Sequence, residues 1–251
     1  PGRRPPPAAP ALRAPPDVRG SAAASHRCAA WRPEGLERPG GGSGKGGFLG
    51  VGALAGLPYA DPLAGLPAYL QQLEMESNGK SVDTDGKPFA GSTAPVTWGG
   101  LGTDAQHAVF QLLHQGPHLV PVEFLASKEP GHALDPAHHC ILLTNCFAQG
   151  AALMRGKDNP ADPARAYPGN RPSTTILLDR VDPFTLGALI AFYEHRTFAN
   201  AVLLGINPFD QFGVELGKKM ANDIEGGTAD FDPSTRALLA AAGLADRSAG
   251  V

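Results

Sequence analysis

The sequence is poor in the features that mark disulfide-stapled, membrane-spanning and metal-binding proteins. Its three cysteines, Cys28, Cys140 and Cys146, form neither an even disulfide framework nor a C-x-x-C pair, so a reducing cytosol fits best. No run of about 18 apolar residues occurs, which argues against a membrane-spanning helix. The run His138-His139-Cys140 suggests metal ligands, but adjacent side chains diverge and no second ligand pair lies at a suitable spacing. We therefore expect no metal site and no membrane partner.

The first part of the chain also lacks aliphatic periodicity. Residues 1–50 contain nine Pro and ten Gly, and carry eight Lys/Arg against three Asp/Glu in a chain of net charge −3. Such a segment buries too little apolar surface to offset the entropy of ordering its backbone. We predict that residues 1–56 are low-complexity, and either disordered or non-native. The first methionine is Met75, which favours a truncated or misread upstream region over a natural tail, and the frequent prolines argue against a transit peptide.

The basic residues of this segment raise the question of a nucleic-acid partner. Arg3 to Arg38 include Trp31 as the one aromatic side chain on which a base could stack. We therefore expect no nucleic-acid partner.

From residue 57 onward, helical and extended apolar patterns alternate. Helices are predicted at residues 61–75, from a cap at Thr103 or Asp104 to residue 115, and at 137–155, 182–198, 211–224 and 233–242. Strands are predicted at residues 95–98, 119–125 and 173–178. This alternation is typical of an α/β fold with a mostly parallel sheet, and 42% hydrophobic residues suffice for its core. Residues 57–251 are thus predicted to form one α/β domain with a helical C-terminal tail.

Five polar residues on these helices are candidates for a site. Gln72 and Glu76 are i,i+4 neighbours away from a leucine stripe, and Gln211 and Lys218 share one face of a later helix. His107 lies in the first turn of the second helix, where as a site residue it would serve as a proton carrier. Taken singly, each residue also fits a solvated helix face, or in the case of His107 a histidine without a partner.

As a set, the motifs around these residues resemble the phosphoglucose isomerase family. They are Met75-Glu76-Ser77-Asn78-Gly79-Lys80 and the segments 98–99, 102–108, 111–116, 147–149, 169–173, 186–195 and 209–218. The resemblance runs in one register over about three quarters of the chain, from Leu57 to Gly243. Chance or a merely shared fold explains such a match poorly.

The resemblance implies a fold, a reaction and a role for each candidate residue. The fold is a three-layer α/β/α domain of the sugar-isomerase (SIS) type, and the reaction interconverts glucose 6-phosphate and fructose 6-phosphate in glycolysis and gluconeogenesis. Glu76 would move a proton between C2 and C1 through a cis-enediol, and His107 and Lys218 would assist ring opening. Gln72 and Gln211 would contact the sugar. The family implies no metal or organic cofactor, a cytoplasmic location, and a homodimer in which His107 reaches the neighbouring subunit's site.

The sequence departs from the family pattern in two places. Family members often have Glu-Pro-Gly-Thr-Asn-Gly before the Gln-His pair, where this chain has Gly100-Leu101-Gly102-Thr103-Asp104-Ala105. The chain also shows no counterpart of the family's phosphate-gripping Ser/Thr loops or Gly-Gly-Arg motif, so we expect an isomerase fragment with little turnover of its own. The alternative hypothesis is a non-catalytic sugar-phosphate-binding SIS module.

Overall fold

Four parallel strands form the centre of the protein. The computed structural model describes residues 52–227 and 231–244, and the sheet has the strand order β2-β1-β3-β4. The strands are β1 (Ala53–Tyr59), β2 (Val96–Gly99), β3 (Val122–Ser127) and β4 (Ser173–Leu178). The α-helices of the described residues are α1 (Leu66–Gln71), α2 (Gly102–Ala108), α3 (Phe110–Gln115), α4 (Pro136–Arg155), α5 (Pro183–Leu204), α6 (Glu215–Glu225) and α7 (Pro233–Ala241).

Helices cover both faces of this sheet. Successive residues of a strand point to opposite faces, and β3 illustrates the division. Phe124 packs into a cluster with residues of α2, α3 and α4, whereas Leu125 packs with leucines of α1 and with Tyr193 of α5. Both faces are therefore apolar, as expected for an all-parallel sheet. The α/β fold predicted from the alternating pattern is confirmed, and so is the three-layer arrangement implied by the resemblance.

Short polar residues fix where several helices begin. The Asp182 carboxylate accepts a hydrogen bond from Thr185 N at 2.7 Å, with Pro183 in the first turn of α5. Asp135 accepts from Ala137 N at 2.8 Å at the start of α4. An aspartate cap followed by proline is a favoured helix start, which is why the predicted positions of α4 and α5 are confirmed to within a residue at that end.

The second predicted helix differs from the structure at its start and in its middle. α2 begins at Gly102 after Leu101, and no side chain caps it, so the cap predicted at Thr103 or Asp104 is wrong. The helix is also interrupted at Val109, whose φ of −129° lies outside the helical range, before α3 resumes. β3 starts three residues later than the predicted strand at residue 119. Pro121 precedes it, and proline cannot donate a hydrogen bond to a sheet.

The strand β1 was missed by sequence reasoning. It runs from Ala53 to Tyr59 and pairs with both β2 and β3, so the predicted boundary between residues 56 and 57 cuts through a central strand. The reason is its composition, since Gly56 and Pro58 have low strand propensity and the run continues a glycine-rich stretch. Residues 1–51, on which the prediction of disorder mainly falls, lie outside the described residues.

Gly102 lets α2 lie directly on the end of β1. A Cβ atom at this position would lie 2.0 Å from Cε2 of Tyr59, a fully buried ring that packs against Phe124. We expect Gly102→Ala to lower the free energy of unfolding by about 1–3 kcal/mol, because the ring must shift in a close-packed core. Urea denaturation measures the change. Gly213→Ala is the control, since its Cβ would meet nothing within 4 Å, and an equal loss in both variants would contradict this packing argument.

Candidate active site

The segment that carries Gln72 and Glu76 is a π-helical turn. α1 ends at Gln71, and Gln72–Glu76 continue it with the wider hydrogen-bond spacing of a π-helix. Such turns add a residue to a helix and occur frequently at functional sites. Gln72 is exposed and Glu76 is half-buried, whereas Glu74 between them is buried. The turn thus presents an amide and a carboxylate outside the core, and buries a second carboxylate.

The buried carboxylate of Glu74 belongs to an ion network between the sheet and α5. Thr97 Oγ1 of β2 donates to Glu74 Oε2 at 2.6 Å, and the other carboxylate oxygen pairs with Arg196 Nη2 of α5. Arg196 Nη1 in turn lies 2.6 Å from Glu123 Oε1 of β3. The guanidinium carbon also lies 4.6 Å from the ring centroid of Tyr193. One cation therefore joins the π turn, β3 and α5.

Burial and the neighbouring charges shift the pKa values of Glu123 and Arg196 in this network. Desolvation raises the pKa of Glu123 above its ordinary value, although the positive charge of Arg196 acts in the opposite direction. Desolvation alone would lower the pKa of Arg196, but the charges of Glu123 and Glu74 outweigh it and raise that pKa. Arg196 therefore stays charged, and Glu123 is the carboxyl that takes up a proton more readily than in the unfolded chain.

A lysine joins the π turn to the segment before Gln211. Lys80 Nζ donates to the backbone carbonyl of Glu76 at 3.1 Å and lies 2.8 Å from Oδ1 of Asp210. Gln211 follows Asp210 directly, so the structure brings the backbone at Gln211 close to the end of the turn that carries Glu76. An open cavity of about 380 Å³ lies beside the turn and is lined in part by Leu73 and Phe209.

Gln211 and Lys218 do not share one continuous helix. The predicted helix over 211–224 is wrong at its start, because Gln211 lies outside the helical range (φ −142°), residues Phe212–Val214 form a 3-10 turn and α6 begins at Glu215. Both side chains are exposed. The face argument that paired them from an i,i+7 spacing therefore fails, since the spacing holds only within a regular helix.

His107 lies on α2, away from these contacts. Its side chain is exposed, and within residues 52–227 and 231–244 no hydrogen bond or ion pair joins it to Glu76, Gln211 or Lys218. Its neighbour Gln106 instead points inward and donates to the hydroxyl of Tyr59 at 2.8 Å. Burial raises the pKa of Tyr59 to about 12, against a smaller lowering by that hydrogen bond. Gln106 thus fixes α2 while leaving His107 on the surface.

Sequence reasoning missed the residues that hold the π turn in place. Glu74 follows Leu66 and Leu70 at a spacing of four, so a carboxylate on an otherwise apolar stripe was a signal of a buried partner. The sequence feature that indicated this partner was Arg196, which follows Tyr193 by three residues in a helix whose neighbouring turns are apolar. Nothing in the spacing alone connects Glu74 to Arg196, which lies 122 residues away.

The described residues form neither a metal-binding cluster nor a membrane-spanning helix. They contain no group of three or more His, Cys, Asp or Glu side chains placed to hold a metal ion. No helix in the same part of the chain has the length and apolar character needed to cross a membrane.

The fold and this arrangement define a class: a three-layer α/β protein that presents an amide and a carboxylate on a π turn fixed by a buried ion network. The sequence profile of the phosphoglucose isomerase family matches residues 45–239. The match covers most of the chain, so the chain belongs to the phosphoglucose isomerase family, and the resemblance seen in its motifs is confirmed.

Individual relatives agree with this assignment. The glucose-6-phosphate isomerase of Erythrobacter litoralis is 71% identical over 199 residues, which are 78% of this chain and 38% of that protein. That of Rhizorhabdus wittichii is 76% identical over 185 residues, 73% of this chain and 37% of that protein. A crystal structure of a glucose-6-phosphate isomerase from Chlamydia trachomatis matches with a TM-score of 0.70 at 40% identity, covering 78% of this chain and 38% of that one. The chain spans less than two fifths of the length of these relatives.

Removing the shared cation should destabilise the protein strongly. We expect Arg196→Met to lower the free energy of unfolding by about 3–5 kcal/mol, because two buried carboxylates then lack a counter-charge. Arg180→Met is the matched control, since Arg180 is exposed and pairs with Glu129 at 3.4 Å. For an exposed pair we expect a change of at most about 1 kcal/mol in urea denaturation. Equal losses of unfolding free energy in both variants would contradict the role of this ion network in holding the site in place.

The raised pKa of Glu123 predicts a dependence of stability on pH. A carboxyl whose pKa is higher in the folded state stabilises the fold when protonated, and this contribution is lost as the pH rises through the folded-state pKa. The unfolding free energy of the wild type minus that of Glu123→Gln should therefore fall as the pH rises from the ordinary carboxyl range through the raised folded-state pKa. Glu129→Gln, at an exposed carboxylate, serves as control, and its difference from the wild type should stay nearly flat. A rising difference for Glu123→Gln would reverse the sign argued here.

Proposed function

We propose that the protein containing this chain interconverts glucose 6-phosphate and fructose 6-phosphate. The observation that carries the proposal is Glu76, a half-buried carboxylate without a side-chain partner among the described residues, on a π turn fixed by buried charges. The relatives that share this segment at 71–76% identity are glucose-6-phosphate isomerases. A carboxylate held beside a substrate carbon is suited to proton transfer.

Each predicted residue has a distinct task in this reaction. His107 and Lys218 exchange protons with the ring oxygen and the anomeric hydroxyl, which opens the sugar. Glu76 then removes the proton from C2 and returns it to C1 through a cis-enediol. Gln72, on the same turn, and Gln211 donate hydrogen bonds that orient the open-chain sugar. The family resemblance implies no metal or organic cofactor, and one carboxylate can serve as both base and acid in this proton transfer.

The chain by itself holds an incomplete site. It spans less than two fifths of its relatives, and α5, α6 and the 3-10 turn between them carry large exposed apolar side chains, among them Leu203 (79% exposed), Phe212 (70%) and Leu216 (63%). Exposed apolar surface on this scale is unusual for a monomer and favours coverage by further protein. The phosphate grip predicted to lie outside this chain would supply binding energy that positions the reacting end of the sugar.

The exposure of His107 favours a site shared between subunits. Because no hydrogen bond or ion pair joins His107 to Glu76 within the described residues, a second copy in a homodimer would bring such a group to the site. We place this assembly in the cytoplasm, since Cys140 and Cys146 are free thiols, and we assign it neither a nucleic-acid nor a membrane partner.

A chimera tests the proposed reaction. The part of the Erythrobacter litoralis relative that this chain does not match would be fused to residues 52–251, and glucose 6-phosphate formed from fructose 6-phosphate would be followed in a coupled assay. We expect turnover by the chimera and a loss of at least about 100-fold for the chain alone. In the chimera, Glu76→Gln should lower kcat by about 10²–10⁴-fold, since the amide cannot accept the proton. Glu225→Gln, an exposed carboxylate on α6, is the control.

The outcomes separate the competing hypotheses. Normal turnover by the chain alone would overturn the incompleteness, and full activity of Glu76→Gln would overturn the role of this base. Calorimetric binding of fructose 6-phosphate to the folded chimera without proton exchange at C2 would instead support a sugar-phosphate-binding module.

A further inference from the structure

The ammonium group of Lys80 lies between the two segments that carry the proposed reacting groups. Its three protons have three acceptors: the carbonyl oxygen of Glu76 at 3.1 Å, Oδ1 of Asp210 at 2.8 Å, and the carbonyl oxygen of Asp210. The Lys80 side chain is only 12% exposed. A nearly buried ammonium with all three donors used is a fixed structural joint, unlike a solvated surface lysine.

One side of this joint is the carboxyl end of the π turn. The last carbonyl groups of a helix lack hydrogen-bond donors and carry partial negative charge, so a cation there is favourable. Gly79 directs the chain toward that position, because its amide bonds the carbonyl of Met75 and a Cβ atom would lie 2.4 Å from the same oxygen. Asn78 adds a hydrogen bond to the Thr197 carbonyl of α5 at 3.0 Å. Lys80 is thus held where it can neutralise the end of the turn that presents Glu76.

The other side of the joint is the turn before Gln211. Asn207 Nδ2 donates to Oδ2 of Asp210 at 2.9 Å, and Asn207 Oδ1 accepts from Phe209 N at 3.1 Å. Both oxygens of Asp210 are therefore held, one by its own turn and one by Lys80. Beyond it, residues 211–220 are all exposed, and within the described ranges no hydrogen bond or ion pair joins residues 211–227 to the sheet. Asp210 is the last such anchor of the segment that carries Gln211 and Lys218.

We infer that Lys80 is a positioning residue: it sets the placement of Gln211 and Lys218 relative to Glu76 by tying Asp210 to the end of the π turn. The inference rests on the proposed function for its kinetic consequence. Lys80 need not touch the sugar to affect the rate, because displacing a reacting group by about 1 Å can cost on the order of 100-fold. The effect should appear in kcat, since the phosphate grip that determines substrate affinity lies outside this joint.

Two substitutions break the joint from opposite sides. Lys80→Met keeps the length of the side chain and removes the charge, and Asp210→Asn removes the acceptor charge at a partly exposed position where misfolding is less of a concern. Lys87→Met is the matched control, because Lys87 also pairs with an aspartate, Asp85, at 3.0 Å, but on the exposed surface. The double variant Lys80→Met/Asp210→Asn tests whether both substitutions act through one contact.

Hydrogen exchange of the purified chain tests the joint without requiring catalysis. In Lys80→Met and in Asp210→Asn, the hydrogen-bonded amides of Ile206, Phe209 and Val214 should exchange at least about 10-fold faster than in the wild type, and the double variant should add little. Lys87→Met should match the wild type. Unchanged exchange in both single variants would overturn the inference, whether or not the protein is an isomerase.

Kinetics of the chimera test the consequence for the reaction. We expect Lys80→Met and Asp210→Asn to lower kcat by about 10–100-fold with KM changed by less than about threefold, while Lys87→Met stays at the wild-type value. An active wild-type chimera whose kcat is unaffected by both substitutions would overturn the positioning role and leave the proposed function standing. An inactive wild-type chimera would count against the proposed function, and the exchange experiment would still decide the joint.

Discussion

The arrangement of the candidate site depends on one partly buried guanidinium shared by two carboxylates. Arg196 of α5 faces Glu74 of the π turn and Glu123 of β3, and Thr97 of β2 donates to Glu74, so four elements meet at one cluster of charges. A buried charge without its partner costs far more than a missing apolar contact, because neither water nor another group can replace the partner. The π turn can therefore occupy essentially one position on the sheet. The network acts mainly on specificity, since a paired ion cluster adds little net stability over an apolar core.

The π turn and the ion network together allow Glu74 to be buried while Gln72 and Glu76 stay outside the core. A helix that packs its stripe of leucines on the sheet would place Glu74 in the core, where an ionised carboxylate needs compensation. The extra residue of the π turn brings Glu74 to Arg196 and Thr97 while leaving Gln72 and Glu76 outside the core. The irregular hydrogen bonding costs local stability, and the ion pair offsets it. A regular α-helix at the same place would lose the fixed placement of the proposed base.

Sequence reasoning predicted the parts of the structure that depend on local signals. β4 follows from a β-branched run, the start of α4 from its apolar pattern and the start of α5 from an Asp-Pro cap, and the alternation of elements predicted the α/β fold. β1 was missed because its glycine and proline hide a strand that only its neighbours stabilise. The contacts of Lys80 with Asp210 and of Glu74 with Arg196 were also missed, since they join residues more than 100 positions apart. The family motifs located Glu76, His107 and Lys218, but only the structure shows how differently they are supported.

That difference in support divides the candidate site into two parts. The π turn that carries Glu76 and Gln72 is held within this chain, by the ion pairs of Arg196 with Glu74 and Glu123. His107 and Lys218 are exposed, and Lys218 lies on a helix whose apolar residues Leu216 and Met220 are also exposed. The turn that presents the proposed base therefore needs no further protein for its position, whereas the placement of His107 beside it does. Proton transfer at an already open sugar should thus tolerate loss of the surrounding protein better than ring opening does, because only ring opening depends on a group that this chain does not itself place.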